Sequence, residues 1–96
     1  MRYRLVIEYD GAAFCGWQSQ ADGHAVQDAL REAIKLFCGE TVTFYGAGRT
    51  DSGVHARGQV AHIDLDTAPQ PDRVRDGVNF HLRPSPLAVR AAYYAR

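Results

Sequence analysis

Arg49, Asp51, His55 and Arg57 place four ionisable side chains within the stretch Gly46–Gln59, GAGRTDSGVHARGQ. Four glycines in these fourteen residues allow positive backbone φ and close approach of a ligand to the main chain. A connection between strands needs only a few residues, so a longer polar one usually has a second task. If the backbone is extended at Arg49-Thr50-Asp51, alternate side chains point the same way and Arg49 shares a face with Asp51. A guanidinium there favours the ionised carboxylate and can also grip a phosphate. Other uses of the same residues stay open. An aspartate in a glycine-rich turn can form an Asx turn, and His55 suits a structural hydrogen bond. Asp51, His55 and His62 have a spacing that superficially suits metal ligands, but no second carboxylate–histidine pair accompanies them.

The elements that must position this stretch follow from hydrophobic period. Residues 2–9 alternate, with Tyr3, Leu5, Ile7 and Tyr9 on one face, and Asp10-Gly11 breaks the strand. A loop over 11–23 holds Phe14 and Trp17, an aromatic pair beside Gln18 and Gln20. It can serve as a lid on the core or as a stacking platform for nucleic acid. Val26, Ala29, Leu30, Ala33, Ile34 and Phe37 recur at helical spacing over 25–38, and Asp28, Arg31, Glu32 and Lys35 take the solvated face. Gly39 suits the left-handed residue after the helix. Thr41–Tyr45 is β-branched and aromatic, which predicts a second strand. Gln59–Asp66 predicts a third, with Ala61, Ile63 and Leu65 inward and His62 and Asp64 outward. Pro71 opens a short second helix with Val74 and Val78 inward, weakened by Gly77. Leu87, Val89, Ala91 and Tyr93 predict a final strand with one apolar face.

The order β-α-β-β-α-β predicts an α+β, ferredoxin-like plait: a four-stranded antiparallel sheet with two helices on one face. Arg2, Arg4, Glu8, His62 and Asp64 would line the other face. The chain's 96 residues fit a single domain, residues 1–96. At 46% hydrophobic and 23% charged it is ordinary globular protein. A formal net charge of zero argues against a strongly basic, non-specific nucleic-acid binder, although a local basic groove remains compatible. Cys15 and Cys38 form no CxxC and imply neither a disulfide framework nor a zinc site. Arg2 and Arg4 interrupt any leader-like run, and no apolar stretch approaches the ~20 residues that cross a bilayer. These features lead to the expectation of a cytoplasmic protein.

Gly48–Ala56 resembles the GRTDxGVHA signature of the tRNA pseudouridine synthase A family. Tyr9-Asp10-Gly11, Phe14, Gly16-Trp17-Gln18 and Gln20 are similar to that family's YDGxxFxGWQxQ opening. Val26-Gln27 and Leu30, Gly58-Gln59-Val60, and Asn79, Leu82, Pro84 and Val89 extend the likeness to about residue 90. Arg83-Pro84-Ser85-Pro86 departs from a more usual Leu-Pro-x-Asp turn. The resemblance implies isomerisation of uridine to pseudouridine in the anticodon stem-loop of tRNA, without metal or organic cofactor. It implies Asp51 as nucleophile, with Arg49 orienting and ionising it and filling the space of an extruded base. Arg57, His55, Trp17, Gln18 and Gln20 are the implied RNA contacts. It also implies a C-terminal half, absent from this chain, and a homodimer in the full-length family, so that this N-terminal half alone would be inactive. The competing expectation is a non-catalytic RNA-binding module on the same sheet, against which the outward positions of the first and third strands carry no aromatic cluster.

Overall fold

The computed structural model describes residues 1–14, 16–18, 25–46 and 55–95. Strand β1 spans Arg2–Tyr9, helix α1 Val26–Cys38, strand β2 Ala56–Asp64, helix α2 Pro71–Leu82 and strand β3 Leu87–Ala95. A single 3-10 turn, Gly11–Ala13, follows β1. The strands form one antiparallel sheet in the order β2-β1-β3. Both helices cover the face bearing Tyr3, Leu5 and Ile7, all fully buried. From α1 come Val26, Leu30 and Ile34, and from α2 Val74 and Val78, so each amphipathic stripe meets the same apolar layer. Tyr3 keeps its polar end satisfied by donating its hydroxyl to the Pro69 carbonyl.

The helix boundaries have local causes. At the start of α1 the Asp28 carboxylate accepts the Ala25 N–H at 3.3 Å, one half of a capping box. At its end Gly39 takes φ +80 and donates its N–H to Lys35 at 2.7 Å. Pro71 occupies the first turn of α2, where its missing N–H leaves no bond unmade. Gly77 does not end that helix. A Cβ there would lie 2.2 Å from two ring carbons of Phe37, so the glycine is where α1 lays an aromatic ring on α2.

Three expectations are corrected. Among the described residues the sheet has three strands, not four. Thr41–Phe44 forms no ladder, and only Tyr45 pairs, with His62, through two bonds of 2.9 Å. The segment is fastened from the helix side instead. Val42 is buried, and Arg31 donates Nε to the Val42 carbonyl at 3.1 Å while its guanidinium lies 5.6 Å from the Phe44 ring centre. Arg31 therefore is not merely a residue of the solvated face. The third correction concerns β3. Val6 pairs with Ala91 but Ile7 with Val89, which leaves Arg90 as an extra, bulged residue. A one-residue slip exchanges the two faces of a strand. Beyond the bulge Ala91 and Tyr93 leave the apolar side, and Tyr94 meets Tyr3 at 5.5 Å between ring centres.

The uncovered face carries the expected polar set. Arg2 makes a two-pronged contact with Asp64 at 2.8 and 3.0 Å. The Arg4 guanidinium stacks over Tyr93 at 4.8 Å, and that of Arg2 over Tyr45 at 5.1 Å. No helix among the described residues is long and apolar enough to cross a membrane.

Candidate functional site

One end of the sheet opens into a cleft of about 660 Å³, lined by Glu8–Asp10, His55–Arg57 and Ser85–Ala88. Each lining segment is a strand end, and each is tied to its neighbour. The Asp10 N–H donates to the Pro86 carbonyl at 3.0 Å, joining the end of β1 to the approach of β3. Asp10 also turns the chain, because its Oδ1 accepts the Ala12 N–H at 2.9 Å and sets the 3-10 turn. Across the cleft, Nδ1 of His55 accepts the Gly11 N–H at 3.0 Å and lies 3.2 Å from Asp10 Oδ1.

The sheet is irregular at this end. Ile7 pairs with Gln59 and Tyr9 with Ala56, so Glu8 faces both Arg57 and Gly58. A carbonyl displaced from a ladder needs another donor. Arg90 supplies it, giving Nη1–H to the Arg57 carbonyl at 2.6 Å while its Nε stands 3.8 Å from a Glu8 carboxylate oxygen. The bulge in β3 thus brings a guanidinium across β1 to the strand that carries Arg57.

The described residues on either side of 47–54 are held in place, Tyr45 by His62 and His55 by the Gly11 N–H. Gly46 has φ +72, and a Cβ on it would stand 3.1 Å from His62 Nδ1. Its neighbour Tyr45 holds His62 in both directions. Only glycine combines that φ with so close a ring. Phe44, two residues before Gly46, rests edge-on against Trp17, with ring centres 5.8 Å apart.

Of the residues expected to act, His55 and Arg57 line the cleft together. Asp51, Arg49 and Gln20 lie outside the described residues. Trp17 is 2% exposed, its indole part of the core and backing Phe44. Gln18 beside it is exposed. Sequence reasoning gave no role to Asp10, Glu8, Arg90 or Ser85–Ala88. The Tyr9-Asp10-Gly11 signal was present, read as a strand end and as part of the family's opening, without a role for the Asp10 side chain. Arg90 had no signal, because a bulge does not show in an alternating pattern.

The model of the tRNA pseudouridine synthase family matches residues 5–94. The tRNA pseudouridine synthase A of Parvibaculum lavamentivorans is 58% identical over 88 residues, covering 92% of this chain and 36% of that protein. The tRNA pseudouridine synthase A of Nitrobacter winogradskyi is 58% identical over 91 residues, 95% of this chain and 36% of its own length. That of Rhodopseudomonas palustris strain CGA009 is 58% identical over 91 residues, 95% of this chain and 37% of its own. The chain therefore spans just over a third of the relatives it matches. With the family model running through both helices and all three strands, whose ends line the cleft, this chain belongs to the tRNA pseudouridine synthase family.

Proposed function

We propose that Gly48–Ala56 supplies the nucleophile for converting uridine to pseudouridine in the anticodon stem-loop of tRNA. Asp51 is the attacking carboxylate, and Arg49 keeps it ionised, orients it and fills the place of the extruded base. The base must leave its stack before its reacting atoms can be reached. Asp51 adds to uracil C6 or to ribose C1′, and the N1–C1′ bond breaks. The base turns and C5 bonds to C1′, displacing the Asp51 carboxylate if it was held at C1′; the C5 proton leaves, with elimination of Asp51 from C6 if it was held there, and N1 takes a proton up. Nothing is oxidised or reduced, and the chemistry needs no cofactor. It needs one ionised carboxylate in a site that excludes water. Arg57, His55, Gln18 and Gln20 meet the RNA, chiefly at phosphates that set its register. The observation that carries this reading is the intact signature, matched within a family model that covers residues 5–94, with its last two residues, His55 and Ala56, lining the cleft.

The relatives' greater length supports a second part that completes the site, and the family resemblance implies a homodimer of the complete protein. Phosphate contacts supply most of the affinity in RNA binding of this kind. The isolated chain should bind tRNA weakly and form no detectable pseudouridine, with activity restored by the missing part added in trans. Robust turnover by the purified chain alone overturns that. The nucleophile is tested by joining this chain to the rest of the Parvibaculum relative. Asp51→Asn should abolish product while tRNA affinity stays within about tenfold, or ~1.4 kcal/mol. Conversion at even a few per cent of the parent rate refutes the assignment.

A further inference from the structure

Strand β1 is flanked by two bulges at the same level. On one side Arg90 is the extra residue of β3, between Val89 and Ala91, which pair with Ile7 and Val6. On the other, Arg57 and Gly58 of β2 together face Glu8, between the pairs Ile7–Gln59 and Tyr9–Ala56. A bulge leaves one residue outside the ladder, and alternation along the strand no longer settles where its side chain goes. Gly58 does not pin this one. Among the described residues a Cβ on it would meet only Val6 Cγ1, at 4.0 Å, so the glycine fills no tight space and leaves the backbone free to turn. The tie comes from across β1. Arg90 donates Nη1–H to the Arg57 carbonyl at 2.6 Å, which fixes the peptide plane joining Arg57 to Gly58.

Two uses of the Arg90 guanidinium compete: a cation for phosphate, or a donor that holds the backbone. Its Nε stands 3.8 Å from a Glu8 carboxylate oxygen, so a phosphate approaching Arg90 meets a negative charge beside the positive one. Part of the planar fork is already committed to a backbone carbonyl. Arg57, by contrast, is exposed and lines the cleft. We propose that Arg90 is a positioning residue for Arg57: by holding the Arg57 carbonyl it fixes the bulge in β2, and so sets the direction in which the Arg57 side chain enters the cleft. This rests on the functional reading above for the RNA that Arg57 meets, but not for the bond itself.

The test has two arms. In the isotopically labelled 96-residue chain, Arg90→Met keeps much of the aliphatic stem and removes the donor. By NMR the Arg57 carbonyl carbon and the Gly58 amide should shift, while Ala61 and Ile63, in the regular part of the ladder, stay as they were. Melting curves confirm that the variant is folded, and unmoved Arg57 and Gly58 signals overturn the proposal. In the chain joined to the rest of the Parvibaculum relative, tRNA affinity is measured for Arg57→Ala, Arg90→Met and the double variant. Arg57→Ala should weaken binding by about tenfold and Arg90→Met by about threefold or more, with kcat of Arg90→Met nearly unchanged. In the Arg57→Ala background Arg90→Met should cost nothing further. Additive losses make Arg90 a phosphate contact in its own right and overturn the proposal, as does parent affinity in Arg90→Met. Arg90→Lys keeps the charge without the fork. If it restores affinity while the Arg57 carbonyl signal stays shifted, charge is the cause and the proposal fails. If Arg57→Ala itself binds like the parent, the functional reading of Arg57 is what fails, and the Arg57 and Gly58 signals still decide whether Arg90 sets the bulge.

Discussion

Replacing Gly77 by alanine sets two effects of known size against each other. Alanine is the better helix former by about 1 kcal/mol in a helix interior, and α2 continues through this position. The added Cβ, however, would stand 2.2 Å from Cδ1 and Cε1 of Phe37 and 3.2 Å from Cγ. Carbon atoms attract best at about 3.5–4.0 Å, so the ring or the helix must move by more than an ångström. Overpacking of that kind costs about 1–3 kcal/mol. If Phe37 instead swings outward, it forfeits its share of the roughly 1.5–3 kcal/mol that burying such a side chain provides. Gly77→Ala should therefore lower stability by ~1 kcal/mol net, a fall in Tm of about 4–8 °C for a domain of this size. In a Phe37→Ala background the overlap is gone and only propensity remains. The same substitution should then raise Tm by a similar amount. Thermal melts of the four proteins, completing a double-mutant cycle, measure the coupling. If Gly77→Ala stabilises both backgrounds equally, the helices do not meet at this glycine and the reasoning fails.

Asn79→Ala should destabilise the chain by ~2 kcal/mol in urea unfolding, because it strands two backbone groups at once. The Asn79 amide now donates to the Val89 carbonyl at 2.9 Å, and its Oδ1 accepts the Val89 N–H at 2.7 Å. A variant as stable as the parent, with an unchanged Val89 amide exchange rate, would show that clamp to be idle. On acidification the Glu40 carboxylate should account for part of the loss of stability. Burial pushes it up, but the N–H groups of Asp66 and Thr67 and the Thr67 hydroxyl, all donating to it, outweigh burial and hold it below the ordinary glutamate range. A depressed folded value means stability that is present above the unfolded pKa and lost as pH falls through the folded one. Glu40→Gln should flatten the acid limb of Tm against pH, and an unaltered limb would refute the role. High salt separates this from Asp64 and Asp76, which hydrogen bonds from Arg2 and Arg75 hold low at exposed, screened positions.

What the sequence made legible was what a single element can report about itself. The alternation of Tyr3, Leu5 and Ile7 against Arg2 and Arg4 predicts which face of β1 is buried, and both helices lie where their period put them. The failures all involve two elements at once. Thr41–Phe44 has strand composition but no ladder, since strand propensity describes a surface fit and not the presence of a partner. Tyr93 was expected to share the apolar face of Leu87 and Val89, and one bulged residue reverses it. Arg31 resembles any solvated helix residue until the Val42 carbonyl arrives beside it. Gly77 looked like a weak point because Phe37 is forty residues earlier. At the site, the signature was visible and its partners were not. Nothing in Asp10-Gly11 announces that an imidazole will receive the Gly11 N–H.

The irregular pairings explain why the cleft lies at this end of the sheet. A regular antiparallel ladder satisfies its own backbone and leaves side chains only to pack or to meet solvent. At the other end it does so: Arg2 faces Asp64 and Tyr3 faces Ile63 in register, and Leu65 is joined to Met1. Near Ile7–Tyr9 both flanking ladders slip, and side chains take over the work of the backbone. Arg90 serves the Arg57 carbonyl, Asn79 serves both polar groups of Val89, and His55 serves the Gly11 N–H. These three residues come from different elements, so the strand ends are set relative to one another by directional bonds and not by hydrophobic burial alone. Burial tolerates displacements that a hydrogen bond of fixed length and angle does not. The end of the sheet with the poorest ladder is consequently the one whose geometry is set most specifically.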